Sequence, residues 1–323
     1  MEIYLPNSAF LGNIEAFIRK FNPENENILI ITSNEKWVSV HPIVLCMVAS
    51  AGRYIKSRDG EIKFKIMSAK SKHYFDVIGL FKVLNLKSQM AINKHEPSGR
   101  FVPISVIKNS EDITKFMTEL IPLLHKKDQS HVVAIRHVIS ELVRNVIEHS
   151  GYEQGAFVCA QYHKKSNKIR IGVADCGIGI RTAITKSYAA ENDLKAINLA
   201  LTPGITGTTK KIGGTVENGG LGLFIVKSIA KVNRDFFMIY SGDAMYKLLK
   251  TPKGMIPRLN ADPSKDKHSD TTGLPRWAGT AVGIDIGLNE HRDFEDLLKL
   301  IRDVYRKNFK ERGKIKFKRA KFT

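Results

Sequence analysis

The run Glu141-Leu-Val-Arg-Asn145-Val-Ile-Glu-His149 decides how the rest of the chain is read. Spacings of four and eight residues align Glu141, Asn145 and His149 along one side of a helix. Leu142, Val143, Val146 and Ile147 fill its other sides. A hard cation such as Mg²⁺ takes oxygen ligands, keeps several waters, and is held by one or two protein oxygens together with substrate phosphates. The side-chain oxygen of Asn145 suits that role. Glu141, one turn away, is placed to orient or deprotonate a water near a terminal phosphate. Taken alone, the run reads equally well as a helix surface carrying polar residues.

Outward from it, two further stretches carry chemistry. In Ile171-Gly-Val-Ala-Asp175-Cys-Gly177-Ile-Gly179-Ile an apolar strand ends in a carboxylate. The two glycines after it let backbone approach a flat ligand closely. In Glu217-Asn-Gly219-Gly220-Leu221-Gly222-Leu-Phe-Ile-Val-Lys, glycines run into an amphipathic helix. Its first N–H groups and dipole attract phosphate oxygens. The GxxxxGK[ST] phosphate loop does not fit here. Each stretch alone is also a tight turn or a plain helix start.

Order and spacing combine them. Asn145 precedes Asp175 by 30 residues, Gly220 follows by another 45, and Gly279-Thr280 opens a last strand. This set resembles the GHKL ATP-binding fold shared by histidine kinases, anti-sigma-factor kinases, gyrase and MutL, over about half of the chain. The resemblance implies an α/β sandwich with a mixed sheet and an ATP lid, and ATP and Mg²⁺ as cofactors. By the same resemblance Asn145 coordinates Mg²⁺, Asp175 binds the adenine amine, and Gly177 and Gly179 shape the adenine pocket. Gly219, Gly220, Leu221 and Gly222 hold phosphates, Thr280 supports the adenine side, and Glu141 stands where catalytic members carry a general base. His149 falls at the pocket edge, and Arg144 reads as a solvated helix charge. Residues of about 184–219, rich in Gly, Thr and Lys, correspond to the lid, with Lys210 and Lys211 able to reach phosphate.

Ahead of this region, residues 27–32 and 61–67 read as strands, and 41–58 and 74–84 as helices. This alternation predicts a small α/β domain over 1–98, loosely similar in element order to STAS-like domains. The polar stretch 93–100, with Pro97 and Gly99, marks the boundary to the ATP-binding domain, 99–290. Residues 291–323 form a C-terminal helix, expected to end near 309, and a basic tail.

The remaining features narrow the function. No apolar run is long enough to span a bilayer and the first residues do not read as a signal peptide, so a cytoplasmic protein without a membrane partner is expected. Three widely separated cysteines argue against a disulfide framework or zinc site. His95-Glu96 is followed at once by Pro97, which disfavours a phosphoacceptor helix, and too little chain follows Thr280 for a gyrase-like transducer domain. A regulatory ATPase or Ser/Thr kinase is favoured, with a protein partner met through the N-terminal domain or lid and a homodimer possible; a binding switch without turnover is the non-enzyme alternative. The formal charge is +19, and ten Lys/Arg stand against two acidic residues between Arg302 and Thr323. That tail is open to three readings: a solvated end, an edge strand over 314–318 guarded by lysines, or a nucleic-acid or acidic-partner contact.

Overall fold

The computed structural model describes residues 1–20, 27–65, 68–86, 101–124, 129–205, 207, 220–252, 254–288 and 294–319. The predicted boundary at 93–100, His95, Glu96, Gly219, Lys210 and Lys211 lie outside them. The chain builds two sheets with a helix between them and further helices on the outer face of the larger sheet.

The first sheet is small and parallel, ordered β1 (Glu2–Leu5), β2 (Ile28–Ser33), β3 (Glu61–Phe64). A short helix α1 (Ile14–Ile18) follows β1, and α2 (Pro42–Lys56) joins β2 to β3. Pro42 at the first position and the His41 ring, which accepts from the Ile43 N–H at 3.1 Å, start α2. Every residue from Pro42 to Gly52 is buried. A helix apolar all round is expected only where it is covered on all sides. Here one side packs on β2 and β3, and the other on β5, β6 and β10 of the large sheet. Gly172 makes the second contact possible, since a Cβ there would overlap the backbone of Pro42 and Ile43.

The helix predicted over 74–84 is two helices, α3 (Ala69–Val77) and α4 (Leu80–Val83). Gly79, at φ +82°, breaks them with a left-handed turn.

The large sheet has seven strands: β4 (Phe101–Ile107), β5 (Ala156–His163), β6 (Lys168–Ala174), β7 (Phe237–Gly242), β8 (Ala244–Leu248), β9 (His268–Thr271) and β10 (Trp277–Gly287). Its order is β4-β5-β6-β10-β7-β8-β9, with every pairing antiparallel. Parallel and antiparallel pairings are thus divided between the two sheets. The period-two pattern of the strands serves both faces. Val158, Ile171, Val173, Ile239 and Ile284 face the outer helices, whereas Phe157, Cys159, Met238 and Tyr240 join the core around α2. The N-terminal unit and the large sheet therefore share one apolar core.

The outer face is covered by α5 (Ser110–Leu120), α6 (Gln129–His149), α7 (Gly179–Thr185), α8 (Asp193–Ala200), α9 (Gly222–Val232) and α10 (Phe294–Arg319). The helix predicted over 111–125 ends its regular part at Leu120 and tightens into a 3-10 turn, Ile121–Leu124, at Pro122. The C-terminal expectation is corrected: α10 does not stop near 309, and 314–318 is helix, not an edge strand. Lys- and Arg-rich sequence has good helix propensity, which outweighs the short alternation of Ile315 and Phe317. Among the described residues no helix is long and apolar enough to cross a membrane.

Candidate functional site

Three pieces of backbone meet on the outer face of the large sheet and enclose a cavity of about 350 Å³. They are the C-terminal half of α6, the loop after β6, and the turn that starts α9. Glu141, Asn145, His149, Asp175, Gly179, Gly220, Leu221, Gly222 and Thr280 all line it. Gly177 stands just behind the lining, and Gly219 lies outside the described residues.

Asp175 forms the inner end of the site and is buried. It caps its own loop: the Gly177 N–H donates to its Oδ1 at 2.7 Å. Its backbone N–H donates to the Thr280 carbonyl at 3.0 Å, and the Trp277 indole N–H donates to its carbonyl at 3.0 Å. Burial pushes the Asp175 carboxyl up to about 7, against the opposing effect of N–H groups from Gly177 and Thr280. Gly177 is required by a close approach, because a Cβ there would overlap the Ser150 carbonyl, which accepts from the Ile178 N–H at 2.8 Å. This contact ties the loop to the end of α6. Gly179 begins α7, and the next N–H, that of Ile180, donates to Ser241 Oγ at 3.0 Å. Ser241 in turn donates to the Gly279 carbonyl at 2.7 Å. Ser241 and Trp277 thus brace the loop, and sequence reasoning missed both. The one local signal was a small hydroxyl inside an otherwise apolar strand.

Along α6, Glu141 and Asn145 face the start of α9, where Gly222 packs directly against the Glu141 carboxylate and the Asn145 amide. Asn145 Nδ2 is buried without a hydrogen-bond partner. Such orphaned groups are uncommon, since burying an unpaired amide costs roughly 1–3 kcal/mol. The Arg144 side chain is partly exposed to solvent, as expected, and its guanidinium is also paired with Glu141. Burial raises the Glu141 carboxyl above its usual range, Arg144 opposes that, and Glu148 adds to it. His149 sits beside Glu148 at 3.9 Å, and burial lowers its pKa.

The opposite wall is the N-terminus of α9. Leu221 caps it without a side-chain hydrogen bond, and its carbonyl accepts the first helical bond, from Ile225 at 2.8 Å. The N–H groups before Ile225 are therefore left without helical acceptors, with the positive end of the helix dipole behind them. Gly220, at φ +63°, accepts from the Gly204 N–H at 3.0 Å and packs on Ile205, so the segment after α8 closes this end of the cavity. Val173, Ile180, Ile184, Ile205 and Val282 supply its apolar surface.

A carboxylate deep in an apolar slot, with a helix N-terminus and a buried amide at its mouth, is the chemistry of a nucleotide pocket. Comparison with known families agrees. Residues 130–247 match the family described as histidine kinase-, DNA gyrase B-, and HSP90-like ATPase. The chain carries a GHKL-type ATPase domain. The match runs from α6 through β8, and so takes in both glycine turns; β10, with Thr280, follows it in sequence. No curated protein matches the chain.

Proposed function

We propose that the cavity binds Mg-ATP, and that the protein is a nucleotide-controlled regulator. It hydrolyses ATP slowly or passes the terminal phosphoryl group to a serine or threonine of a partner protein. One observation carries this reading: Asp175, Asn145 and the open N-terminus of α9 face a single cavity within the family's own segment.

Each residue then has a task. Asp175 accepts a hydrogen bond from the adenine amine, while Gly179 and Thr280 border the ring and Val173, Ile180 and Val282 cover its faces. The N–H groups at Gly220, Leu221 and Gly222 receive phosphate oxygens. By family resemblance Gly219, outside the described residues, is also expected to serve the phosphates. His149 forms the rim.

The residues present fit a magnesium ion. The Asn145 amide is buried and unpartnered on Nδ2, and turning it over presents Oδ1 instead. One side-chain oxygen, with phosphate oxygens and water, is a usual Mg²⁺ environment. When bound, the ion would neutralise charge on the phosphates. Glu141 acts on the nucleophile. It accepts the proton as the oxygen of water or a hydroxyl bonds to the γ-phosphorus, and the bond from that phosphorus to the ADP oxygen breaks. For this it must leave Arg144, whose guanidinium then becomes free for the phosphates. Partner contact runs through the lid or the N-terminal unit, with a second copy of the chain as one candidate.

A second reading, a switch that binds ATP without turnover, is favoured by the Arg144–Glu141 pair, which holds the base out of action in this conformation. Phosphate release and nucleotide affinity of Glu141→Gln separate the two. The catalytic reading expects turnover to fall by about 10²–10⁴-fold, the span of general-base contributions, with ATP affinity kept. Equal turnover in variant and parent rejects Glu141 as base, and ATP binding without any turnover in the parent leaves the switch.

A further inference from the structure

Helix α10 takes no part in the cavity. Its 26 residues extend for about 39 Å at 1.5 Å per residue. Among its described side chains, those that join the core lie near its beginning: Leu297 and Ile301 are buried, and Leu298 and Val304 pack at the core's margin. This part rests on α6 and α9. Farther along, Arg306, Lys307 and Lys310 are exposed. Arg306 meets Asp303 at 4.0 Å, but both side chains are well exposed and water screens such a pair.

The sequence places Arg302, Arg306, Lys310, Lys314 and Lys318 at strict four-residue intervals within this helix. Four residues advance about 6 Å, so the five positions form a slowly winding stripe about 24 Å long. Lys307, Arg312, Lys316 and Arg319 add charge beside it. The rest of the chain is itself net positive, so the body offers little to neutralise the stripe. Phe309, Ile315 and Phe317 are spaced six and two residues apart, which scatters them around the helix. A helix lying in a membrane surface needs one continuous apolar face, which the sequence spacing of these three residues does not supply.

We propose that the distal half of α10 binds the phosphate backbone of a nucleic-acid duplex, by charge and without reading bases. A duplex carries one negative charge per about 1.7 Å of axis, which lets an evenly spaced row of cations engage several phosphates at once. An α-helix also fits the major groove of such a duplex.

The test uses the full chain and a fluorescent 30-base-pair DNA duplex of arbitrary sequence. Five neutralised phosphates give a slope of log K against log salt near about −4.5, a loss of roughly 500-fold in affinity from 50 to 200 mM salt. The variant Arg306→Glu/Lys310→Glu/Lys314→Glu/Lys318→Glu leaves the anchoring residues Leu297 and Ile301 intact and should abolish binding. The same four positions changed to Gln, with helicity and melting temperature followed alongside, separate lost charge from lost fold. Absence of salt-sensitive duplex binding at 50 mM salt overturns the proposal, as does equal binding by the parent and either variant. Binding to phosphatidylserine vesicles or to single strands, with none to the duplex, also overturns it.

Discussion

If Asp175 holds the adenine amine, the affinity for nucleotide must depend on pH in a window set by this one residue. Its carboxyl is pushed up to about 7 by burial, from an ordinary 3.8. The ionised carboxylate is taken as the competent acceptor, because a charge-assisted hydrogen bond is roughly twice as strong as a neutral one. In the free protein about nine-tenths of the molecules offer one at pH 8, and about one-tenth at pH 6. Apparent affinity scales with the competent fraction, so the dissociation constant should rise about tenfold between pH 8 and pH 6. The same shift has an opposite sign in stability. The folded state holds this proton more tightly than the unfolded chain, so the stability it contributes is complete below about pH 4 and is lost as pH rises through about 7. Above that the ionised, unliganded site costs the fold on the order of 4 kcal/mol, at 1.36 kcal/mol per pKa unit. Asp175→Asn should therefore remove the pH dependence of binding and weaken nucleotide affinity, yet raise the stability of the free protein at pH 8. Calorimetric titration with a non-hydrolysable ATP analogue between pH 6 and 8, paired with urea denaturation without nucleotide, measures both. Flat affinity across that window in the parent, or an unchanged pH dependence in Asp175→Asn, refutes the reasoning.

Two further perturbations test the frame around the site. Gly177→Ala drives a methyl group into the Ser150 carbonyl, and backbone stands on both sides of the clash. A loss of about 1–3 kcal/mol is expected, and an unchanged urea midpoint would contradict the contact. Lys227 and Asp266 form a buried pair that ties α9 to the chain between β8 and β9, with Lys231 at 3.6 Å from the same carboxylate. Lys227→Met leaves the buried Asp266 carboxylate with Asn260 and the longer Lys231 contact, and should cost about 3 kcal/mol, the low end for a broken buried pair. Lys227→Met/Asp266→Leu should recover much of that loss in chemical denaturation; a double variant no more stable than the single one rules the pairing out.

What the sequence disclosed followed from how local each signal was. α9 begins at Gly222 and ends at Val232, as the apolar period and the glycine turn predict. The strand leading into Asp175 and the one holding Thr280 were visible as apolar runs, but the second opens at Trp277, before the expected Gly279-Thr280. Elements whose reasons are tertiary stayed hidden. β4 and β9 become strands by pairing at the sheet's edges, and α8 is a short helix inside a stretch read only as lid. Ser241 and Trp277 reach Asp175's loop from strands far away in sequence, so no spacing rule finds them. Arg144 lies three residues from Glu141, a spacing that permits the pair without requiring it. The apolar density of residues 42–52 was plain as a helix. That it fills the layer between two sheets was not, because covering a helix on every side needs partners from both halves of the chain.

That layer bears on Asp175. The residue next to it, Cys176, points the other way and accepts a hydrogen bond from Ser50 of α2 at 3.3 Å. Cys46, one turn earlier on the same helix, donates to the Gly172 carbonyl at 3.2 Å. The cavity and the N-terminal unit are thus back-to-back rooms divided by a partition one polypeptide thick. Residues in α2 that never see a ligand are nonetheless masonry of its wall, and the limits on their size are set from the far side.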